Sequence, residues 1–251
     1  MGSLDGKTAV IVGASGEKNF GTAIARRLAA EGANVVVSAR RKEPLEVLAA
    51  EIGGLAVTSD ITDEVKIENL FKTATETYGK VDIAVNSSGS FIPCMIADLT
   101  AETIRPTVEV SFIGTLLFFK HAAAAMTGGG SVIAISSLTA RLPGPGMSPY
   151  SGARAGIDYA IKIAATEYAE QKVRFNSIAA GLIETDMTGG LFSMQEIVDA
   201  YVRETPAGRM GTVDDMAEAV LFLGDEKKSG FINGQVLDLS GGGQMGHLPR
   251  Y

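Results

Sequence analysis

The stretch TAVIVGASGEKNFGTAIARRLA, Thr8–Ala29, decides the architecture of this chain. Thr8–Val12 is a short, mostly β-branched apolar run suited to a buried strand, and Thr22–Glu31 has helical spacing and good helix formers. Gly13, Gly16 and Gly21 fall in and beside the turn that joins them. Glycines at a strand-to-helix turn let the backbone approach a pyrophosphate, which the helix N-terminus then stabilises. Ser15, Lys18, Asn19 and Phe20 complete this candidate cofactor loop, with Lys18 as a cation for phosphate. A Gly-Lys-Thr sequence at Gly6–Thr8 is not a second phosphate loop. It precedes a strand instead of following one, and the glycine required upstream is Met1.

Outward from this unit, short β-branched runs alternate with longer helical patterns. Strands are predicted at Thr8–Val12, Ala33–Ser38, Leu55–Thr58, Val81–Val85, Ser131–Ser136, Val173–Ala179 and Gln235–Leu239. Helices are predicted at Thr22–Glu31, Pro44–Ile52, Asp63–Tyr78, Ala101–Met126, Tyr150–Gln171 and Val213–Gly224. Several strands are apolar almost throughout, as expected for a parallel sheet covered on both faces. The alternation implies right-handed crossovers and an α/β fold: a doubly wound, Rossmann-like parallel sheet of about seven strands with helices on both faces. No repeat, low-complexity tract or linker divides residues 1–251, so one domain is expected.

Composition narrows the function. A 46% apolar and 20% charged chain of 251 residues suits a compact protein with a substantial core. Its formal net charge of −7 disfavours nucleic acid or an anionic membrane as partner, the trio Arg40-Arg41-Lys42 being a local exception. Cys94 is the only cysteine, which excludes an intrachain disulfide and a thiolate zinc site. With His121 and His247 the only histidines, a histidine-rich metal site is not expected either, and no metal is assigned. The start MGSLDGKTAV lacks the basic segment and longer apolar run of a signal peptide, and Gly6 breaks the myristoylation pattern. The longest apolar region, Phe112–Met126, contains Lys120 and His121 and is short for a bilayer. A soluble, cytoplasmic protein is the expectation.

The chemistry sits later in the chain. Tyr150 and Arg154 are four residues apart on a predicted helix and so share one face, with Ser137 upstream at the end of a strand. A free phenol has a pKa of about 10 and donates its proton poorly at neutral pH. A fixed cation nearby favours the phenolate. A hydroxyl from Ser137 can hydrogen-bond the same oxygen that the phenol protonates, which makes an acid suited to carbonyl chemistry. The second strand ends Val36-Val37-Ser38-Ala39-Arg40, where NAD-binding folds carry an acidic ribose ligand. Ala39 repels no 2′-phosphate and Arg40 offers a fork that matches one, so NADP(H) is expected.

With these motifs in order, the chain resembles the short-chain dehydrogenase/reductase family over nearly its whole length. The resemblance rests on LDGKTAVIVGAS, Asp60-Ile61, NSSG at Asn86–Gly89, Ser137 with Tyr150 thirteen residues on, NSIAAGLIETDM at Asn176–Met187, PAGRMGTVDDMAEAVLFL and INGQVLDLSGG. It implies a nicotinamide cofactor and hydride transfer to or from a carbonyl carbon. By position it places Asp60 and Ile61 at the adenine, and Asn86, Ser87, Ser88 and Gly89 along the cofactor groove. Gly181, Ile183 and Thr185 fall on the carboxamide side, Ser137 on the substrate oxygen, and Tyr150 becomes the acid/base. Three departures stand out. The family's lysine is Arg154, its long-helix asparagine aligns with Ser111, and the glycine loop is two residues longer than the common pattern. That loop length is similar to the enoyl-thioester reductase branch, whose tyrosine lies seven positions before the basic residue; here that position is Met147.

The expected activity is therefore NADPH-dependent reduction of a ketone or aldehyde, reversible as an alcohol dehydrogenase. The alternatives are an enoyl- or dienoyl-thioester reductase and a non-catalytic NADP(H)-binding protein. The family's mobile substrate lid corresponds to Met187–Thr205, rich in Leu191, Phe192, Met194, Ile197, Val198 and Tyr201, and Phe91, Ile92 and Cys94 border the same pocket. This suggests a moderately large apolar carbonyl or alcohol as the small-molecule substrate. A homodimer or homotetramer is expected, because the Ala101–Met126 and Tyr150–Gln171 helices correspond to the family's pairing helices. Phe112, Leu116, Phe118 and Phe119 in one, and Ile157, Ile161 and Ile163 in the other, spread over more than one face.

Overall fold

All seven strands run parallel, in the order β3-β2-β1-β4-β5-β6-β7. They are β1 (Thr8–Val12), β2 (Asn34–Ala39), β3 (Leu55–Thr58), β4 (Ile83–Asn86), β5 (Gly130–Ser137), β6 (Val173–Ala180) and β7 (Val236–Leu239). The structure is a computed structural model and describes residues 2–245; His247 lies outside the described residues. The strand order reverses between β1 and β4, so connections leave these two neighbours toward opposite faces and open a crevice at their carboxyl ends.

The helices are α1 (Phe20–Ala30), α2 (Lys42–Ile52), α3 (Glu64–Tyr78), α4 (Ala101–Val108), α5 (Gly114–Ala125), α6 (Ser148–Glu167), α7 (Gly189–Phe192), α8 (Gln195–Glu204), α9 (Val213–Gly224) and α10 (Glu226–Ser229). Two apolar clusters face each other across the sheet. Ile11, Val35 and Val37 meet Ile24 and Leu28 of α1, Leu45 of α2 and Val220 of α9. Their sequence neighbours Val10 and Val36 point the other way, onto Leu70 of α3, Phe118 of α5 and Ile157 of α6. Each such fully buried side chain contributes roughly 1.5–3 kcal/mol, which is why strands with apolar residues on both faces favour the interior.

The expected single helix Ala101–Met126 is interrupted. Between α4 and α5 the residues Glu109–Ile113 form a π-helical turn, just after Pro106 inside α4. A proline lacks the N–H that continues the α ladder, and one wider turn is a common local adjustment. By length and composition the run Ala101–Ala125 resembles a membrane span, yet α5 packs on α3 and α6 and supplies Phe118 and Phe119 to the core. The helix predicted over Tyr150–Gln171 begins earlier, at Ser148 with Pro149 in its first turn, and stops earlier, at Glu167.

Candidate active site

The loops that leave β1, β4, β5 and β6 gather the predicted site residues at the carboxyl edge of the sheet. Gly13 has a φ of 92°, and a Cβ there would lie 2.8 Å from Ser87 Oγ and 2.9 Å from Ser88 N. A Cβ on Gly21 would lie 2.6 Å from the Gly13 carbonyl oxygen. The two glycines thus let the loop lie close to the β4 loop and to its own helix. Asn19 caps α1 by accepting from Thr22 N at 2.8 Å, while Thr22 Oγ1 donates to the Gly16 carbonyl at 2.7 Å. Phe20 opens the helix and packs onto the core.

At the end of β2, Ala39 presents no carboxylate and Arg40 is exposed. The sequence had marked Arg41 only as part of a basic trio. In the structure Arg41 reaches back to the cofactor loop, with Nη2 donating to the Ser15 carbonyl at 2.5 Å and Nε to Ser15 Oγ at 3.4 Å. Asp60 follows β3 and turns onto Thr62, accepting from its N–H at 3.0 Å and its hydroxyl at 2.8 Å. Burial pushes its carboxyl up, but those hydrogen bonds and the charges of Arg40 and Lys66 outweigh it, so its pKa is lowered. Ile61 beside it is buried.

Asn86, fully enclosed, ties β4 to the π-helical region. Its Nδ2 donates to Thr115 Oγ1 at 3.0 Å, Thr115 donates to the Ser111 carbonyl at 3.1 Å, and its Oδ1 accepts from Ser88 N at 2.9 Å. Ser87 Oγ donates to Val12 O at 2.7 Å, joining the same loop to β1. Ser111 is buried in the π turn, and its Oγ accepts from Ser90 N at 3.3 Å. It therefore supports the loop that follows Gly89 instead of presenting the amide that the family resemblance implies at this position.

Arg154 is 4% exposed, and this burial decides how it acts. Nη2 donates to the Ser88 carbonyl at 3.0 Å, and Cζ lies over the Tyr150 ring, 5.2 Å from its centroid. Nε and Nη1 are buried without a hydrogen-bond partner among the described residues. Buried guanidinium donors rarely stay unpaired in a working protein, so these two are suited to ligand hydroxyls such as those of a ribose. Together with the cradle at Gly13 and Gly21, they show that the residues present fit a dinucleotide. Gly89 makes room for this arrangement, because a Cβ there would collide with Arg154 Nη2. Phe91 meets the Tyr150 ring edge-on at 5.4 Å between centroids. Ser137 ends β5, and its Oγ hydrogen-bonds Thr139 Oγ1 at 3.0 Å and accepts from Thr139 N at 3.2 Å. One turn beyond Arg154, Asp158 accepts from Ser177 Oγ at 2.8 Å, while its Oδ2 has no hydrogen-bond partner among the described residues. Burial raises its pKa, against the opposing hydroxyls of Ser136 and Ser177 and the charges of Arg141 and Arg154. Nothing in the sequence pattern marks Asp158, since it reads as one polar residue on a half-exposed helix.

After β6, a Cβ on Gly181 would lie 2.9 Å from Ser240 Cα, so the chain passes tightly there. Ile183 is buried, its carbonyl accepts from Thr188 Oγ1 at 2.6 Å, and Thr185 N donates to the same Thr188 oxygen at 2.9 Å. The Lys18 ammonium pairs with Glu184 of the loop after β6 at 2.6 Å, both side chains being about half exposed. Further along, neither α7 nor α8 contains a buried residue, and Met187, Leu191, Met194 and Tyr201 are exposed. The lid segment is therefore not part of the core.

A doubly wound parallel sheet with a glycine cradle, a phenol and a fixed cation at its carboxyl edge defines an oxidoreductase that uses a nicotinamide cofactor. A family model described as enoyl-(acyl carrier protein) reductase matches residues 13–244. The chain is 34% identical to carbonyl reductase family member 4 of Xenopus tropicalis, over 92% of this chain and 95% of that protein. It is 30% identical to the 3-oxoacyl-(acyl carrier protein) reductase of Escherichia coli K12, over 97% of this chain and 99% of that one. A short-chain type dehydrogenase/reductase from Mycobacterium ulcerans has a similar structure, with a TM-score of 0.92 and 29% identity over 98% of this chain and 93% of its own. The chain belongs to the short-chain dehydrogenase/reductase family.

Proposed function

We propose that this protein reduces a ketone or aldehyde with NADPH and runs in reverse as an alcohol dehydrogenase. The observation that supports this most is the buried Arg154 stacked on Tyr150, with Ser137 at the end of β5, the strand on which α6 packs. The bound nicotinamide supplies or accepts the hydride. Tyr150 gives its proton to the carbonyl oxygen as that oxygen gains charge, and takes it back in the reverse direction. Ser137, turning from Thr139, donates a hydrogen bond to the same oxygen. Arg154 fixes a positive charge against the Tyr150 ring and offers Nε and Nη1 to the ribose. Arginine stays protonated, so a proton relay passes through water or a ribose hydroxyl and not through its side chain.

NADP(H) is preferred over NAD(H) in this reading because Ala39 leaves the place of an acidic ribose ligand empty and Arg40 is exposed beside it. The unburied apolar residues Leu191, Met194 and Ile92 favour a moderately large apolar substrate. A homo-oligomer formed through α5 and α6 is part of the proposal. Of the apolar residues first considered for it, Phe118, Phe119, Ile157 and Ile161 face the chain's own core. Leu116 and Ile163 stay exposed, joined by Ile113 and Tyr159.

A second reading, enoyl-thioester reduction, is favoured by the long glycine loop and by the description of the matching family model. Against it, position 147 carries a methionine where that chemistry places its phenol. Cofactor oxidation followed across a panel of ketones, aldehydes and enoyl thioesters tests both. Turnover of carbonyls is expected. Turnover of enoyl thioesters alone would replace the first reading by the second, and NADPH binding without turnover of any class would favour a non-catalytic role.

A further inference from the structure

The cofactor loop and the loop after β6 are joined directly, although β4 and β5 lie between their parent strands. Three strand spacings amount to about 14 Å, so this contact is not an accident of adjacent strands. Asp186 N donates to the Lys18 carbonyl at 2.8 Å, and Lys18 N donates to Asp186 Oδ1 at 3.2 Å. The Lys18 ammonium reaches Glu184 at 2.6 Å. A Cβ on Gly16 would collide with Asp186 Oδ2 and with Asn19, so a glycine is needed for the carboxylate to come this close. The segment that carries Asp186 is itself tied down by Thr188, which accepts from Thr185 N at 2.9 Å and donates to the Ile183 carbonyl at 2.6 Å.

We infer that Asp186, with Lys18 and Glu184, is a clasp that makes the phosphate cradle and the Ile183–Thr185 segment a single unit, and that cofactor release requires this clasp to open. The inference rests on the reading of these two segments as the two ends of the dinucleotide site. The cradle belongs to one end of the dinucleotide and Ile183 with Thr185 to the other. Neither segment can withdraw while Asp186 holds both. Asp186 is the central member, because its carboxylate and its own N–H engage the two backbone groups of one residue. The Lys18–Glu184 pair is half exposed at both partners and contributes less. Asp186 is thus a positioning residue for the cofactor, acting through Lys18.

The test is the dissociation rate of NADPH, followed by nicotinamide fluorescence in stopped flow with the whole chain, with the melting temperature measured beside it. Asp186→Ala is expected to speed release about tenfold, the scale of one charge-assisted hydrogen bond, with little change in melting temperature. Asp186→Asn keeps an oxygen acceptor and is expected to restore release to within about threefold of the natural rate. Should Asp186→Ala fail to fold, the pair Lys18→Met with Glu184→Gln is read instead, with a two- to threefold faster release expected on the scale of an exposed ion pair. Unchanged release in a folded Asp186→Ala protein, or in that pair where it is the one read, overturns the clasp. Failure of the natural protein to bind either dinucleotide would instead overturn the cofactor reading on which the clasp rests.

Discussion

Arg154 holds the Tyr150 ring from its face, 5.2 Å from the centroid, while its Nη2 is fixed on the Ser88 carbonyl at 3.0 Å. The cation is therefore positioned by the β4 loop and not by the phenol it serves. Tyr150→Phe should lower kcat by roughly 10²–10⁴ with NADPH still bound, the usual contribution of a placed acid. Arg154→Lys should keep or raise kcat, whereas Arg154→Met should lose most activity and bind NADPH more weakly. Steady-state kinetics with a cofactor titration checks all three, and an active Tyr150→Phe protein would move the acid elsewhere.

Gly89 is the least conspicuous part of that arrangement. Its missing Cβ is what admits Arg154 Nη2. Gly89→Ala should displace the guanidinium and reduce kcat by roughly 10- to 100-fold, as expected for a misplacement of about 1 Å. The melting temperature should change little, which separates a displaced cation from a damaged fold.

Arg40 and Arg41 should behave differently. Arg40→Ala should weaken NADPH binding about ten- to a hundredfold and leave NADH binding nearly unchanged, since it removes one contact to the 2′-phosphate. Arg41 braces Ser15 of the cradle, so Arg41→Ala should weaken both dinucleotides. Fluorescence titrations of each variant distinguish the two roles, and equal or tighter binding of NADH by the natural protein would remove the NADP(H) preference.

Asp158 and Asp82 should give opposite pH signatures. The folded pKa of Asp158 is raised by burial, so its charged form costs stability at neutral pH and that cost disappears as pH falls through the folded value. Asp158→Asn should therefore raise the melting temperature at pH 8, by about 2–4 °C for each kcal/mol gained, and lose this advantage on acidification. For Asp82, burial pushes the carboxyl up, yet hydrogen bonds from Lys80, Thr8 N–H and Lys7 outweigh it and lower the pKa. Its contribution is present above the unfolded pKa and lost as pH falls through the folded one, so Asp82→Asn should destabilise at pH 7 and by less and less as the pH falls. Thermal melts across pH 3–8 test both signs.

The exposed Ile113, Leu116, Tyr159 and Ile163 should be covered in solution. Light scattering at micromolar concentration is expected to give a mass above the 26.1 kDa of one chain. Leu116→Asp with Ile163→Asp should return the monomer, and a monomeric natural protein would refute the proposed assembly.

Much of this architecture was legible because its signals are local. The apolar run Thr8–Val12 and the glycines that follow each carry their meaning within a few residues. Strand ends moved by a residue or two, as at Ile83 instead of Val81, because apolar residues also continue into connecting loops. The site was less legible wherever it depended on long reach. The pairing of Lys18 with Glu184 could not be read, because the two are distant in sequence. Arg41 gave no sign that it would brace Ser15, and Asp158 none that it would be buried, since both outcomes depend on which neighbours the sheet brings near. The π turn at Glu109–Ile113 left only Pro106 as a trace, and a proline within a helix does not specify how the next turn adjusts.

The strand order also carries a history. From β4 onward each new strand joins the edge left by the one before it, so this half of the sheet grows in the order in which the chain is synthesised. β1 waits longest with one side open, because β2 and β3 are made before the segment containing β4 emerges. During that interval its unpaired edge and the apolar Val10 and Val12 are the surface most prone to sticking to other chains. The same pairing that later forms the cofactor crevice is thus the step at which a nascent molecule is most vulnerable.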